Sequence, residues 1–353
     1  MTEDKFLLDK TVLFIGQQFY NYHEKIIAQL EQFGAKVFFY ENKIFREDPV
    51  LNNNDLISKV KRIFNPRYKQ KYIDLIINET IDENIDILFC IGGFSVNLDL
   101  LNGIKSRNPH VKTIIYFWDS FAIWPFHNLV NAFDQVFSFE RLDCEKYNLR
   151  YLPLFYSDDQ PGYIKNNERD IDILYVGSVG IISRNRFEVL ASLRNFSEKY
   201  GLKDLLYLLY VKPRHNFIVN GINVVRSLFD RKYRTFKKDL VNYQQKYDFI
   251  YHKPLDTVEL GNLFIRSKTV IDIPVQGQTG LTMRTIESLA MGCKLITSNS
   301  SIKKEAFFND EWIQVLDEEN LEIDLEFLAN KPSVGIDISH LTLKNWLKSI
   351  ITS

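Results

Sequence analysis

The sequence predicts an α/β protein of two doubly wound domains, each a parallel sheet covered by helices. Three observations predict it. The chain has 353 residues, too many for one ordinary core. Continuous apolar runs alternate with longer amphipathic stretches, the pattern of strands buried on both faces. The alternation breaks at YLPLFYSDDQPG (151–162), which carries two prolines, two aspartates and a glycine, and then restarts.

The elements follow in order. Strands are expected at 11–15, 36–40, 85–91, 113–118 and 135–139. Between them lie helical patterns at 22–32, 55–83, 96–106 and 141–148. After the break, strands are expected at 171–176, 205–211, 248–251, 269–273 and 294–297, with helices at 184–199, 224–246, 257–267 and 282–291. In 340–352, Leu343, Trp346, Leu347 and Ile350 recur at helical spacing, and this helix is expected to pack back on the body. The expected divisions are 1–155, 156–338 and 339–353.

Composition narrows the function. Hydrophobic residues are 45%, enough for two interiors, and charged residues are 25%, against a disordered chain. A net charge of -1 argues against nucleic acid as partner. Cys90, Cys144 and Cys293 are scattered, with no CxxC and no disulfide framework, as in a reducing cytoplasm. The start MTEDKFLLDK is charged and lacks the apolar run of a secretion signal. No stretch reaches the roughly 18 apolar residues of a spanning helix. The expected location is therefore cytoplasmic, with any membrane contact at the surface. Residues 212–238 are basic, with Asp230 as the only acid. That stretch suits either an anionic lipid surface or an ordinary solvated helix.

Parallel α/β sheets bind ligands beyond the carboxyl ends of their strands. After 171–176 comes GSVGIISRNR. Gly177 lets a ligand approach the backbone, Ser178 offers hydrogen bonds, and Arg184 and Arg186 are placed to face phosphate. The segment is not a GxGxxG fingerprint, and Gly177 is equally read as a turn glycine. The densest signal is IDIPVQGQTGLTMRTIESLAMGCKLITSN (271–299). Its loop, through Gly280 and Leu281, leads into a helix starting near Thr282, where free N–H groups and the dipole favour an anion. Arg284 and Glu287, three apart, share a face. Arg284 suits a diphosphate and Glu287 the hydroxyls of a ribose; the plain alternative is a surface ion pair.

These residues carry a resemblance. GQTGLTMRTIESLAMGCKLITSN resembles the signature of bacterial two-domain glycosyltransferases that build capsule and lipopolysaccharide glycans. DILYVGS (172–178) and YHKPLD (251–256) are similar to that family in the same order, and the likeness spans 171–308. In the first half it rests mainly on YFWDS (116–120). The resemblance implies the B-type glycosyltransferase fold, two Rossmann-like domains facing a cleft. It implies a nucleotide-sugar donor, a uridine diphosphate sugar by family habit, on the C-terminal domain. A glycan or lipid-linked glycan acceptor would bind the N-terminal one.

On that frame His252 and Lys253 are placed to wrap the base, with a structural turn as the alternative, and Lys212 is a further phosphate candidate or a solvated lysine. Gly16, Gly93 and Trp118 fall on the acceptor side. Inverting transfer needs a base for the acceptor hydroxyl, and the strand-end Asp119 is the candidate, against a helix N-cap. His23 and His127 read as surface or packing residues. Asp158–Asp159 lacks the spaced DxD form, so neither a metal nor another cofactor is expected. The competing readings are a nucleotide-sugar epimerase and a non-catalytic nucleotide-sugar-binding protein.

Overall fold

The computed structural model describes residues 5–44, 68–157, 169–211, 230–275, 277–316 and 322–353. The chain forms two units, Met1–Ser157 with Ser339–Ser353, and Asp158–Ile338.

The first unit runs β1 (Thr11–Gly16), α1 (Tyr22–Gln32), β2 (Lys36–Glu41), α2 (Tyr68–Glu79), β3 (Ile87–Ile91), α3 (Leu98–Arg107), β4 (Lys112–Phe117), β5 (Gln135–Ser138), α4 (Arg141–Tyr147) and β6 (Arg150–Tyr151). All six strands are parallel, in the order β2-β1-β3-β4-β5-β6. β3 is buried at every residue and β1 from Val12 to Ile15, so neither strand alternates in sequence. Helix α3 begins where the Asn97 side chain accepts the Leu100 N–H at 2.9 Å.

The second unit runs β7 (Ile171–Ser178), α5 (Arg186–Tyr200), β8 (Asp204–Leu209), α6 (Arg231–Lys246), β9 (Ile250–Tyr251), α7 (Thr257–Arg266), β10 (Ser267–Asp272), α8 (Met283–Ala290), β11 (Lys294–Thr297), β12 (Ile313–Val315) and α9 (Leu325–Ala329). Its sheet is also parallel throughout, in the order β12-β11-β10-β7-β8-β9. Chain order reverses between β7 and β10, which makes the carboxyl ends of those two strands the topological switch point. The architecture is thus two Rossmann-like α/β domains, with six strands in each among the described residues.

Helix α10 (Leu343–Ile351) belongs to the first unit although it follows the second in sequence. Trp346 is fully buried there, its ring centroid 4.7 Å from Phe155 and 4.8 Å from Tyr116. Its indole N–H donates to the Pro153 carbonyl at 3.0 Å. Lys112 Nζ donates to the carbonyls of Ile351 at 2.9 Å and Ser353 at 2.8 Å, holding the last turn.

Some elements differ from the sequence expectation. β6 and β12 are edge strands of two and three residues, too short to show a periodic pattern. Helix α7 ends at Arg266, and Ser267 already pairs with Ile171 as the first residue of β10. Arg184 is not helical; a 3₁₀ turn over Ile181–Ser183 precedes α5. Of the helices expected at 55–83 and 224–246, residues 55–67 and 224–229 lie outside the described residues, as does Lys212. Among the described residues no helix is long and apolar enough to cross a membrane.

Candidate active site

The site is built at the carboxyl ends of β7 and β10. β10 ends in Asp272, 7% exposed, whose Oδ2 accepts from two hydroxyls, Thr282 Oγ1 at 2.8 Å and Thr285 Oγ1 at 2.6 Å. Thr282 is the N-cap of α8, and its Oγ1 also accepts the Thr285 N–H at 3.3 Å. The helix start is thereby tied to the strand end. The preceding loop is held from the turn after β11, where Asn299 Nδ2 donates to the Thr279 and Gly280 carbonyls, each at 3.1 Å. Gly280 and Leu281 are buried under this clamp, so they shape the loop from within.

Within α8, Arg284 Nη1 donates to Glu287 Oε2 at 2.5 Å. Glu287 is 3% exposed. The pair is therefore not a surface ion pair: Arg284 orients a buried carboxylate on the helix that leaves the switch point.

On the β7 side, Arg186 spans the crevice. Its Nε and Nη2 donate to the Ile273 carbonyl at 3.1 and 2.6 Å, and its Nη1 donates to the Ser178 carbonyl at 2.5 Å. It joins the two strand ends, and among the described residues no carboxylate forms an ion pair with it. Arg184 is differently placed, with its Nε donating to Asp239 of α6. Gly177 is needed for packing, since a β-carbon there would stand 2.5 Å from the Tyr175 hydroxyl.

His252 and Lys253 follow β9, apart from this crevice's bonds. The His252 ring bridges the Tyr210 carbonyl (2.9 Å) and the Gln244 amide (3.1 Å), while Lys253 is 82% exposed and pairs with Glu259 at 3.4 Å.

In the first unit, Gly16 leaves room for the Phe14 ring and Gly93 for Phe126 and Leu129. Trp118 is half-buried, edge-on to Phe19 at 6.3 Å between centroids. After β4 the turn is satisfied without Asp119: Ser120 Oγ accepts the Ala122 N–H at 3.1 Å and Asp143 Oδ2 the Phe121 N–H at 2.7 Å. Asp119 caps no helix, and among the described residues its carboxylate makes no hydrogen bond or ion pair. Burial alone pushes its carboxyl up from the usual 3.8 to about 6. A cavity of about 340 Å³ lies in the same unit beside the start of α3, lined by Gly93, Asn97, Phe126 and Asn128 among others.

Among the described residues no group of His, Cys, Asp and Glu is arranged to hold a metal ion.

Sequence reasoning missed Asp272, Asn299 and Tyr175. Asp272 pairs with hydroxyls 10 and 13 residues onward, a spacing set by loop length and carrying no motif. A visible signal for Tyr175 did exist, because Tyr175-x-Gly177 repeats the Phe14-x-Gly16 arrangement of the first strand.

Comparison with known proteins agrees on the architecture. No protein-family model matches the sequence, and no curated protein matches it. Solved structures do match in fold. The E. coli trehalose-6-phosphate structure bound with UDP-2-fluoro glucose aligns with a TM-score of 0.62 at 10% identity, over 97% of this chain and 98% of that one. The α,α-trehalose-phosphate synthase (UDP-forming) from Burkholderia xenovorans, in complex with glucose-6-phosphate, also gives 0.62 at 10% identity, over 97% and 99%. OtsA in its apo form gives 0.60 at 10% identity, over 97% and 98%. The chain has the two-domain B-type fold of these proteins.

Proposed function

We propose that the protein is a glycosyltransferase moving a sugar from a nucleotide-diphosphate donor, a uridine diphosphate sugar, to a glycan or lipid-linked glycan acceptor in bacterial surface polysaccharide synthesis. The observation that carries this is the switch-point crevice of the second domain. There the start of α8 and an Arg186 that has no carboxylate partner among the described residues face the same strand ends, next to a Glu287 oriented by Arg284. A helix N-terminus and a guanidinium complement a diphosphate, and a fixed carboxylate accepts from ribose hydroxyls. Solved structures of the same fold that hold UDP-2-fluoro glucose and glucose-6-phosphate support the coarser part of this reading, a nucleotide-sugar donor and a sugar acceptor.

In this reading Arg186 and Arg284 are the basic groups for the diphosphate, with the helix dipole, so transfer proceeds without a metal. Gly177, Ser178, Gly280 and Leu281 shape the donor loops, with His252 and Lys253 toward the base. Asp119 is the base for the acceptor hydroxyl in an inverting transfer, beside Gly16, Gly93 and Trp118. A carboxyl raised to about 6, with no partner among the described residues, suits proton transfer near neutral pH. The exposed Arg231, Lys232, Arg234 and Lys238 of α6 are the face offered to an anionic lipid surface.

The test is a thermal-shift and product assay in EDTA with UDP, GDP and ADP and their glucose and N-acetylglucosamine conjugates. A nucleoside diphosphate at 100 times its Kd stabilises the fold by about 2.7 kcal/mol. Glu287→Ala and Arg284→Ala, with the fold intact, are expected to weaken that binding by roughly 1.5–3 kcal/mol. A transferred sugar supports the proposal. An isomerised sugar nucleotide would mean an epimerase, binding without turnover a non-catalytic protein, and no nucleotide binding at all would end the reading.

A further inference from the structure

The donor crevice contains one polar group that packing does not account for. Tyr175 is 2% exposed, with its ring in the core against the face of β7 that carries Gly177. Side chains two apart on a strand share a face, and this ring reaches along the strand until its oxygen stands level with the Gly177 backbone, at the switch point. Among the described residues that hydroxyl makes no hydrogen bond. The hydroxyl is not among the fully buried side-chain atoms left unpaired, so it keeps a small opening to solvent at the strand end, where a ligand can reach it.

The chain carries its own control. Phe14 and Gly16 of β1 reproduce the arrangement in the first domain, also on the strand beside the point where chain order reverses. There a β-carbon at Gly16 would lie 2.4 Å from the Phe14 ring tip. Phe14 is 1% exposed. A phenyl ring satisfies the packing under a strand-end glycine, and the hydroxyl is therefore not required by it.

We propose that the Tyr175 hydroxyl is a substrate-binding group, donating a hydrogen bond to a phosphoryl oxygen of the bound nucleoside diphosphate alongside Arg186. The neighbourhood fits. Arg186 uses three of its N–H groups on the Ser178 and Ile273 carbonyls, which leaves two of a guanidinium's five for a ligand. Burial pushes the Tyr175 hydroxyl up to about 12, with the Arg186 charge opposing and the Asp272 charge adding, so it stays protonated and a donor at any working pH. This inference rests on the proposed donor site.

The experiment compares wild type, Tyr175→Phe and Glu287→Ala by calorimetric titration with UDP, GDP and ADP, and with the parent nucleosides, beside thermal melts. Tyr175→Phe is expected to melt at or above the wild-type temperature and to bind the preferred diphosphate about tenfold more weakly. Its affinity for the nucleoside should be unchanged, because the hydroxyl reads phosphate. Equal diphosphate affinity in Tyr175→Phe, with Glu287→Ala weakened, overturns the Tyr175 role and leaves the donor site standing. A marked fall in melting temperature overturns it as well, since the hydroxyl would then be structural. Equal weakening toward nucleoside and diphosphate assigns it to another part of the ligand. If wild type binds none of the probes, both proposals fall.

Discussion

At the end of β4 the backbone turn is closed by Ser120 and Asp143, and Asp119 stands aside with its carboxyl raised to about 6 by burial. The consequence for stability has a definite sign. A carboxyl raised above its ordinary 3.8 is favoured by the fold only when neutral. Its penalty is absent below about pH 4, grows between 4 and 6, and is complete above 6, where two pKa units amount to about 3 kcal/mol. Asp119→Asn is therefore expected to be the more stable protein at pH 8, with the advantage shrinking as the pH falls toward 4. Turnover should drop by about 10²–10⁴ while nucleotide affinity holds. Urea titrations at pH 8 and pH 5, with kinetics on the same samples, check both halves. A stability difference that ignores pH would show that Asp119 is not held in a desolvating site. Near-normal turnover would place the base elsewhere or indicate a retaining mechanism.

Helix α8 shows how an element positions chemistry. Its eight residues are too few to persist alone, so their placement depends on what holds the ends. The holding is concentrated in Asp272, which accepts from the cap Thr282 and from Thr285, itself 1% exposed. Asp272→Ala leaves the buried Thr285 hydroxyl without its acceptor and the cap unanchored. A loss of about 2 kcal/mol is expected in denaturant unfolding, together with weaker nucleoside diphosphate binding. Unchanged binding in a folded Asp272→Ala protein would separate the helix start from the ligand site. The sequence marked this helix through Thr282, but not its buried face, which takes in Thr285, Glu287 and Ser288 beside Ile286 and Leu289. It could not mark Asp272 or Asn299, because each meets its partner only after a loop has closed.

At the scale of the whole molecule, α10 is the element whose place in the chain misleads most. It follows the second domain directly, yet Trp346 fills the first domain's core between Tyr116 and Phe155. Trp346→Ala removes a fully buried indole and its bond to the Pro153 carbonyl, a change of about 3–5 kcal/mol. In scanning calorimetry the transition of the first domain should move down while that of the second stays in place. A shift in the second transition alone would assign the helix to the wrong core.

The sequence by itself determined two parallel α/β domains, nearly all their strands, the helix starts at Tyr22, Arg141 and Thr257, and the loop between β10 and Thr282. Each is a local matter: apolar runs, helical spacing and turn residues act within a few positions of one another. Only the tertiary structure decided which cation stands at the crevice. Arg184 and Arg186 are two residues apart and read alike in sequence; the fold gives Arg184 to Asp239 and lays Arg186 across the ends of β7 and β10. It also buried Glu287 and, among the described residues, left Asp119 and the Tyr175 hydroxyl without hydrogen-bond partners. Burial and pairing are properties of surroundings assembled from distant segments, and strand order, which is not written in any one segment, decides what those surroundings are.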